Sequence, residues 1–173
     1  MAAPRQMFDH WLESPQGDWP SLHALDFKAK LSADVTIDPV FKGRVVHVND
    51  EGEFEMGIAG AQMAMFLLQN SDDADVANEG GDDWEAAHPT GVLAAIVANA
   101  AVELEDTEFD PGQVYGANDT LTAVASNTNA TTGGRITKGT AYTDAICGVV
   151  SRKAFANANK KMVLAFWPVY LPA

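Results

Sequence analysis

Beyond residue 25, apolar and polar side chains alternate mostly with a period of two, the spacing of strands whose successive side chains point to opposite faces. Phe27, Ala29 and Leu31 alternate with Lys28, Lys30 and Ser32; Val35 and Ile37 flank Thr36; Val46 and Val48 flank His47. The turn sequence NDEG at 49–52 separates VVHV from EFEMG and predicts a hairpin. DPG at 110–112, GAND at 116–119 and TTGG at 131–134 are further turn signals. Between them lie short runs rich in Val, Ile, Thr and aromatics: QVY, TLTAV, GRIT, ICGVV and MVLAFWPVYL. Such evenly punctuated short strands predict a mainly β chain, folded as an antiparallel β-barrel or a sandwich-like domain. The run VLAAIVANAAVELED at 92–106 is ambiguous, because its alanines favour helix while its second half alternates. Its end reads as strand and its start stays open.

Residues 1–25 follow a different pattern. Phe8, Trp11 and Leu12 fall at i, i+3 and i+4, and Pro15 disfavours helix at Ser14, which predicts a short helix. A helix shorter than about 12 residues does not hold its shape alone in water, so it must dock. With Trp19 and Pro20 following, the segment reads as an extended N-terminal arm ahead of a β-rich domain over 26–173. Its aromatics either cover the protein's own domain or dock on a neighbouring subunit or another protein. At the other end, Met162, Leu164, Phe166 and Tyr170 oppose Val163, Ala165, Trp167 and Val169, so both faces of the last strand are apolar. Such a strand is central to the monomer, or one face is buried by another subunit. Pro168 lacks the ladder donor and belongs at an edge or a bulge. The candidate partner-binding residues are therefore Phe8, Trp11, Leu12, Trp19, Trp167 and Tyr170.

Charge sharpens this picture. The 173 residues carry 24 Asp+Glu against 11 Lys+Arg, a net charge of -13, which argues against nucleic acid as a partner. The charge is uneven: residues 1–44 hold 5 basic and 6 acidic side chains, 45–134 hold 0 and 17, and 135–173 hold 6 and 1. The acidic middle must face solvent, bind cations or meet a basic surface. Its densest part, SDDADVANEGGDDWE at 71–85, lies in a predicted acidic loop over about 70–88 and fails the EF-hand spacing, with Ala77, Asn78 and Trp84 at positions 5, 6 and 12 counted from Asp73. No apolar stretch approaches the ~20 residues of a membrane span, and MAAPRQMFDHWLESPQGDW has neither the basic nor the apolar region of a secretory signal. The expectation is a chain made in a cytoplasm, with no membrane partner. Cys147, in the run AICGVV, reads as a small buried hydrophobe.

Chemistry is sparse. His10, His23, His47 and His88 are scattered without metal-ligand spacing, and no phosphate-cradling or nucleophile-elbow motif occurs. Glu103, Glu105 and Glu108 could form an acid/base pair, but any acidic protein offers such pairs. No catalytic residue, cofactor or metal ligand is assigned, and the chain is not expected to be an enzyme.

GRVVHVNDEGEFEMGIAG followed by MAMFLL, then NDTLTAV, GRITKG, ICGVVSRK and LAFWPVYLP, together resemble small structural head proteins of tailed bacteriophages, in particular the decoration or cement proteins of the capsid. The resemblance covers residues 40–173 in character and order. It implies a β-rich domain, commonly a homotrimer, at threefold or quasi-threefold positions on the virion surface, with the major capsid protein and its own copies as partners. It also implies that there is no active site. A carbohydrate- or receptor-binding β module, or another tail or neck component, is the alternative.

Overall fold

The computed structural model describes residues 23–60, 62–68, 70–71, 91–98, 102–141, 143–156 and 162–171. The arm residues Phe8, Trp11, Leu12 and Trp19 and nearly all of the acidic loop lie outside them. Among the described residues there are ten strands and no helix. They are β1 (His23–Ala29), β2 (Val45–Val48), β3 (Phe54–Met56), β4 (Met65–Leu67), β5 (Val92–Ala98), β6 (Val102–Glu105), β7 (Thr120–Ala123), β8 (Ile136–Lys138), β9 (Ile146–Ala156) and β10 (Met162–Leu171).

The protein is mainly β, with two antiparallel five-stranded sheets of order β1-β5-β4-β2-β3 and β6-β10-β9-β7-β8. Neither sheet closes on itself, which corrects the barrel expectation: β1 and β3 end one ladder, and β6 and β8 end the other. The ambiguous run at 92–106 is two strands, β5 and β6, its β-branched and alternating positions overriding the helix propensity of alanine. β1 begins at His23, inside the segment expected to be arm. Two expected strands are absent. Val35 and Ile37 lie in the irregular connection before β2, and Gln113–Val114–Tyr115 in that before β7. These connections lay Ile37, Val40 and Tyr115 onto the sheets as covering side chains, so local alternation there reflects burial without a ladder.

Adding five to each strand number of the first sheet gives the second, and the likeness extends to individual hydrogen bonds. In the first motif Phe54 N–H donates to Lys30 O (2.8 Å) and Ser32 N–H to Phe54 O (2.9 Å); in the second Ile136 N–H donates to Glu108 O (2.9 Å) and Asp110 N–H to Ile136 O (2.8 Å). These bonds form matching parallel bridges, Leu31 with Phe54 and Phe109 with Ile136. Ahead of β2, Gly43 N–H donates to Leu67 O and Leu67 N–H to Arg44 O; ahead of β7, Asn118 N–H donates to Val150 O and Val150 N–H to Asp119 O. Gly43 and Asn118 both have positive φ, 84° and 70°, in a region tolerated by Gly and, among the rest, best by Asn. Cross-strand pairs correspond as well: Val46 with Met56 matches Leu121 with Lys138, and Leu67 with Ala94 matches Val150 with Phe166. The chain is thus two copies of one five-strand motif in tandem.

The motifs pack face against face. One core cluster joins Val45, Ile58, Phe66 and Leu68 of the first to Leu121, Val150, Leu164 and Phe166 of the second, with the Phe66 and Phe166 rings 5.9 Å apart. A second cluster, with Val46, Phe54, Met56, Met65 and Leu67, lies on the opposite face of the first sheet beneath Ile37 and Val40. β2 and β4 are therefore apolar at consecutive positions because both of their faces are buried.

Charge is partly settled inside the fold. Lys138 pairs with Asp119 at 2.7 Å and Arg152 with Glu103 at 2.5 Å, so basic residues of the last forty positions neutralise carboxylates of the lysine-free middle. The Lys138 hydrogen bond, with that of Gly116 N–H, holds the Asp119 carboxyl below its usual value. At the seam between motifs, Arg44 Nη1 donates to Gly133 O at 2.5 Å. Burial, with Arg135 nearby, pulls the Arg44 guanidinium down to about 10 against the opposing pull of Glu108. Burial likewise raises the Glu108 carboxyl, although Thr107 donates to it and Arg44 attracts it. A raised folded-state value means that this group's contribution to stability is fully present below the unfolded value, 4.5, and is lost as pH rises through the folded one. Glu108→Gln is accordingly expected to stabilise the protein at neutral pH. Urea titrations at a series of pH values should show that gain fading toward pH 4.5. A gain that grew on acidification would contradict the assignment.

Candidate functional site

β10 changes character along its length. Residues 163–166 lie between β6 and β9, through the pairs Val163 with Glu105, Leu164 with Leu104 and Phe166 with Val102 on one side. All four are buried. The described part of the β6 ladder reaches Phe166, opposite Val102, and beyond it the pairs described for β10 are with β9. Pro168 stands opposite Gly148 in that second half. The first half of β10 is thus central to its sheet, and Pro168 lies where the β9–β10 register shifts, which fits the bulge expected of it.

The outer half presents its apolar side chains to solvent. Trp167 is 38% exposed, Val169 36%, Tyr170 37% and Leu171 46%. Beside it a cavity of about 200 Å³ opens between the motifs, lined by Met63, Ala64, Phe66, Cys147, Pro168 and Tyr170 among others. Cys147 is buried as expected, and burial pushes its thiol up to about 12, which leaves it protonated and unreactive.

Internal duplication gives this surface a reference. Phe66 pairs with Ala95 in the first motif as Val149 pairs with Trp167 in the second, and Val45 pairs with Phe66 as Thr120 pairs with Val149. In the first motif Val45 and Phe66 are buried under the second motif; their counterparts Thr120 and Val149 are only half-buried, and Trp167 stands out beside them. The second motif carries outward the face that the first motif buries.

Of the sequence-predicted site residues, Trp167 and Tyr170 are brought together on this surface. Phe8, Trp11, Leu12 and Trp19 are outside the described residues. Val169 and Leu171, absent from that set, are exposed alongside them; their signal was the apolar run itself. Of the three carboxylates singled out by sequence, Glu103 binds Arg152, and Glu105 and Glu108 are buried, Glu108 with Arg44 and Glu105 near it. Burial raises the Glu103 carboxyl despite its Arg152 partner. Among the described residues no group of three or more His, Cys, Asp and Glu side chains is placed to hold a metal, and no helix is long and apolar enough to cross a membrane. One polar feature escaped the sequence reading. His47 faces Glu55 across the β2–β3 hairpin, at the rim of a second cavity. Comparison with known protein families, curated proteins and solved structures finds no match.

Proposed function

We propose that this chain is a structural virion protein that binds the outer surface of a tailed-phage capsid and stabilises the mature shell. It acts through contact area and not through turnover, with the major capsid protein and copies of itself as partners. In this reading the two sheets form a sandwich-like domain and the assembly is a trimer, as the resemblance implies. Residues 1–25, with Phe8, Trp11, Leu12 and Trp19, then serve as an arm reaching a neighbour.

The observation that carries the reading is the outer half of β10. A strand that is core over four residues continues with Trp167, Val169, Tyr170 and Leu171 all more than a third exposed, beside an apolar cavity between the motifs. Large apolar side chains gathered in one exposed stretch mark an interaction surface. A partner that binds only the expanded lattice stabilises it by RT ln(1 + [L]/Kd), and several copies across one seam add linkage. Each contact can then be weak.

Mass spectrometry of purified particles of the encoding phage is expected to find the protein in copy numbers comparable to the major capsid protein. Trp167→Ser with Val169→Ser should leave the isolated protein folded and lower its retention on the particle at least tenfold, about 1.4 kcal/mol of contact energy. Absence from the particle would overturn the proposal.

A further inference from the structure

The geometry points to a binding site for a zinc-type divalent cation at His47 and Glu55. His47 is buried, and its Nδ1 lies 2.9 Å from the carbonyl oxygen of Gly57. A carbonyl only accepts, so Nδ1 carries the hydrogen, and in the neutral ring the lone pair falls on Nε2. That lone pair faces Glu55 Oε2 at 3.7 Å, while Glu55 Oε1 is engaged by Asn49 Nδ2 at 3.2 Å. In that neutral form two acceptors confront each other at 3.7 Å, too far apart for a direct hydrogen bond, while a protonated ring would make an ion pair with Glu55. Metal bonds of about 2.0–2.1 Å at a tetrahedral angle would place donor atoms about 3.4 Å apart, close to what is found. A ring held through Nδ1–H on a backbone carbonyl, with Nε2 free, is the usual orientation of a ligating histidine.

The duplication supplies an internal control. Register equivalence places Thr122 and Thr137 where the first motif has His47 and Glu55. The same hairpin therefore closes with two threonines, and the His–Glu pair is not a requirement of the fold. It opens onto a cavity of about 160 Å³ that Gln62, Ser126 and Asn127 also line, so polar groups are at hand for the waters that complete the coordination. Because Ser126 and Asn127 belong to the β7–β8 connection, an ion here would tie the two motifs together. One nitrogen and one carboxylate oxygen suit zinc, cobalt or nickel; magnesium and calcium prefer oxygen alone.

Zinc chloride titrated into the full chain is expected to fill one more site per chain in the wild type than in His47→Thr with Glu55→Thr, the pair that the second motif carries. The His47 Nε2 resonance should shift on binding, and the melting temperature should rise with zinc in the wild type alone. Glu55→Gln, at a half-exposed position, keeps the test open if the double variant does not fold. Equal zinc uptake by wild type and variants, no uptake at all, or a doubly protonated His47 ring that ignores zinc would each overturn the site.

Discussion

A chain ending at Lys161 will not fold. Truncation there removes β10, the strand that joins β6 to β9 in the second sheet, and with it Val163, Leu164, Ala165 and Phe166, all buried. Each of the three larger side chains contributes about 1.5–3 kcal/mol by burial, before the two opened ladders are counted. That sum is comparable to the ~5–15 kcal/mol by which a whole domain is stable. The loss also reaches the first motif, because Phe66 packs on Phe166 in the shared cluster. Far-ultraviolet circular dichroism should show an unfolded or aggregated chain; a soluble product with native dichroism and a cooperative melt would contradict the packing described.

The next largest effect is expected from a single methyl group. Gly57 has φ +76°, and a Cβ there would overlap the Val124 carbonyl of the second motif. Gly57→Ala should therefore combine left-handed strain with a backbone displacement at the seam, about 3 kcal/mol in all. Gly52 is the control, since its φ is +79° but nothing lies within 4 Å of the added carbon. Gly52→Ala should lose only the strain, about 1 kcal/mol. Urea unfolding measures both, and equal losses would mean that the seam is not close-packed at Gly57.

Strand identity was legible where period-two alternation met turn chemistry. NDEG, GAND and TTGG bounded β3, β7 and β8, and the unbroken apolar run gave β10 its observed limits. What stayed hidden was long-range. Val35, Ile37 and Tyr115 are apolar because they cover a sheet from outside its ladder, a distinction that no local pattern contains. The duplication was invisible for a related reason. Its matched positions, Val46 with Leu121, Phe54 with Ile136 and Ala94 with Phe166, share a place in the hydrogen-bond register and little identity. Trp167 and Tyr170 could be singled out because two apolar faces on one strand need an explanation. His47 and Glu55 could not, since finding them opposite each other requires the hairpin register, and the scattered histidines gave no spacing to follow.

The account turns on whether the outer half of β10 docks copies of the chain. Light scattering coupled to size exclusion, at several concentrations, measures this directly on the wild type and on Trp167→Ser with Val169→Ser and Leu171→Ser. The prediction is three times the chain mass for the wild type and a single chain mass for the variant, with unchanged circular dichroism. A wild type that is monomeric at every concentration, or a variant that assembles equally well, would contradict it.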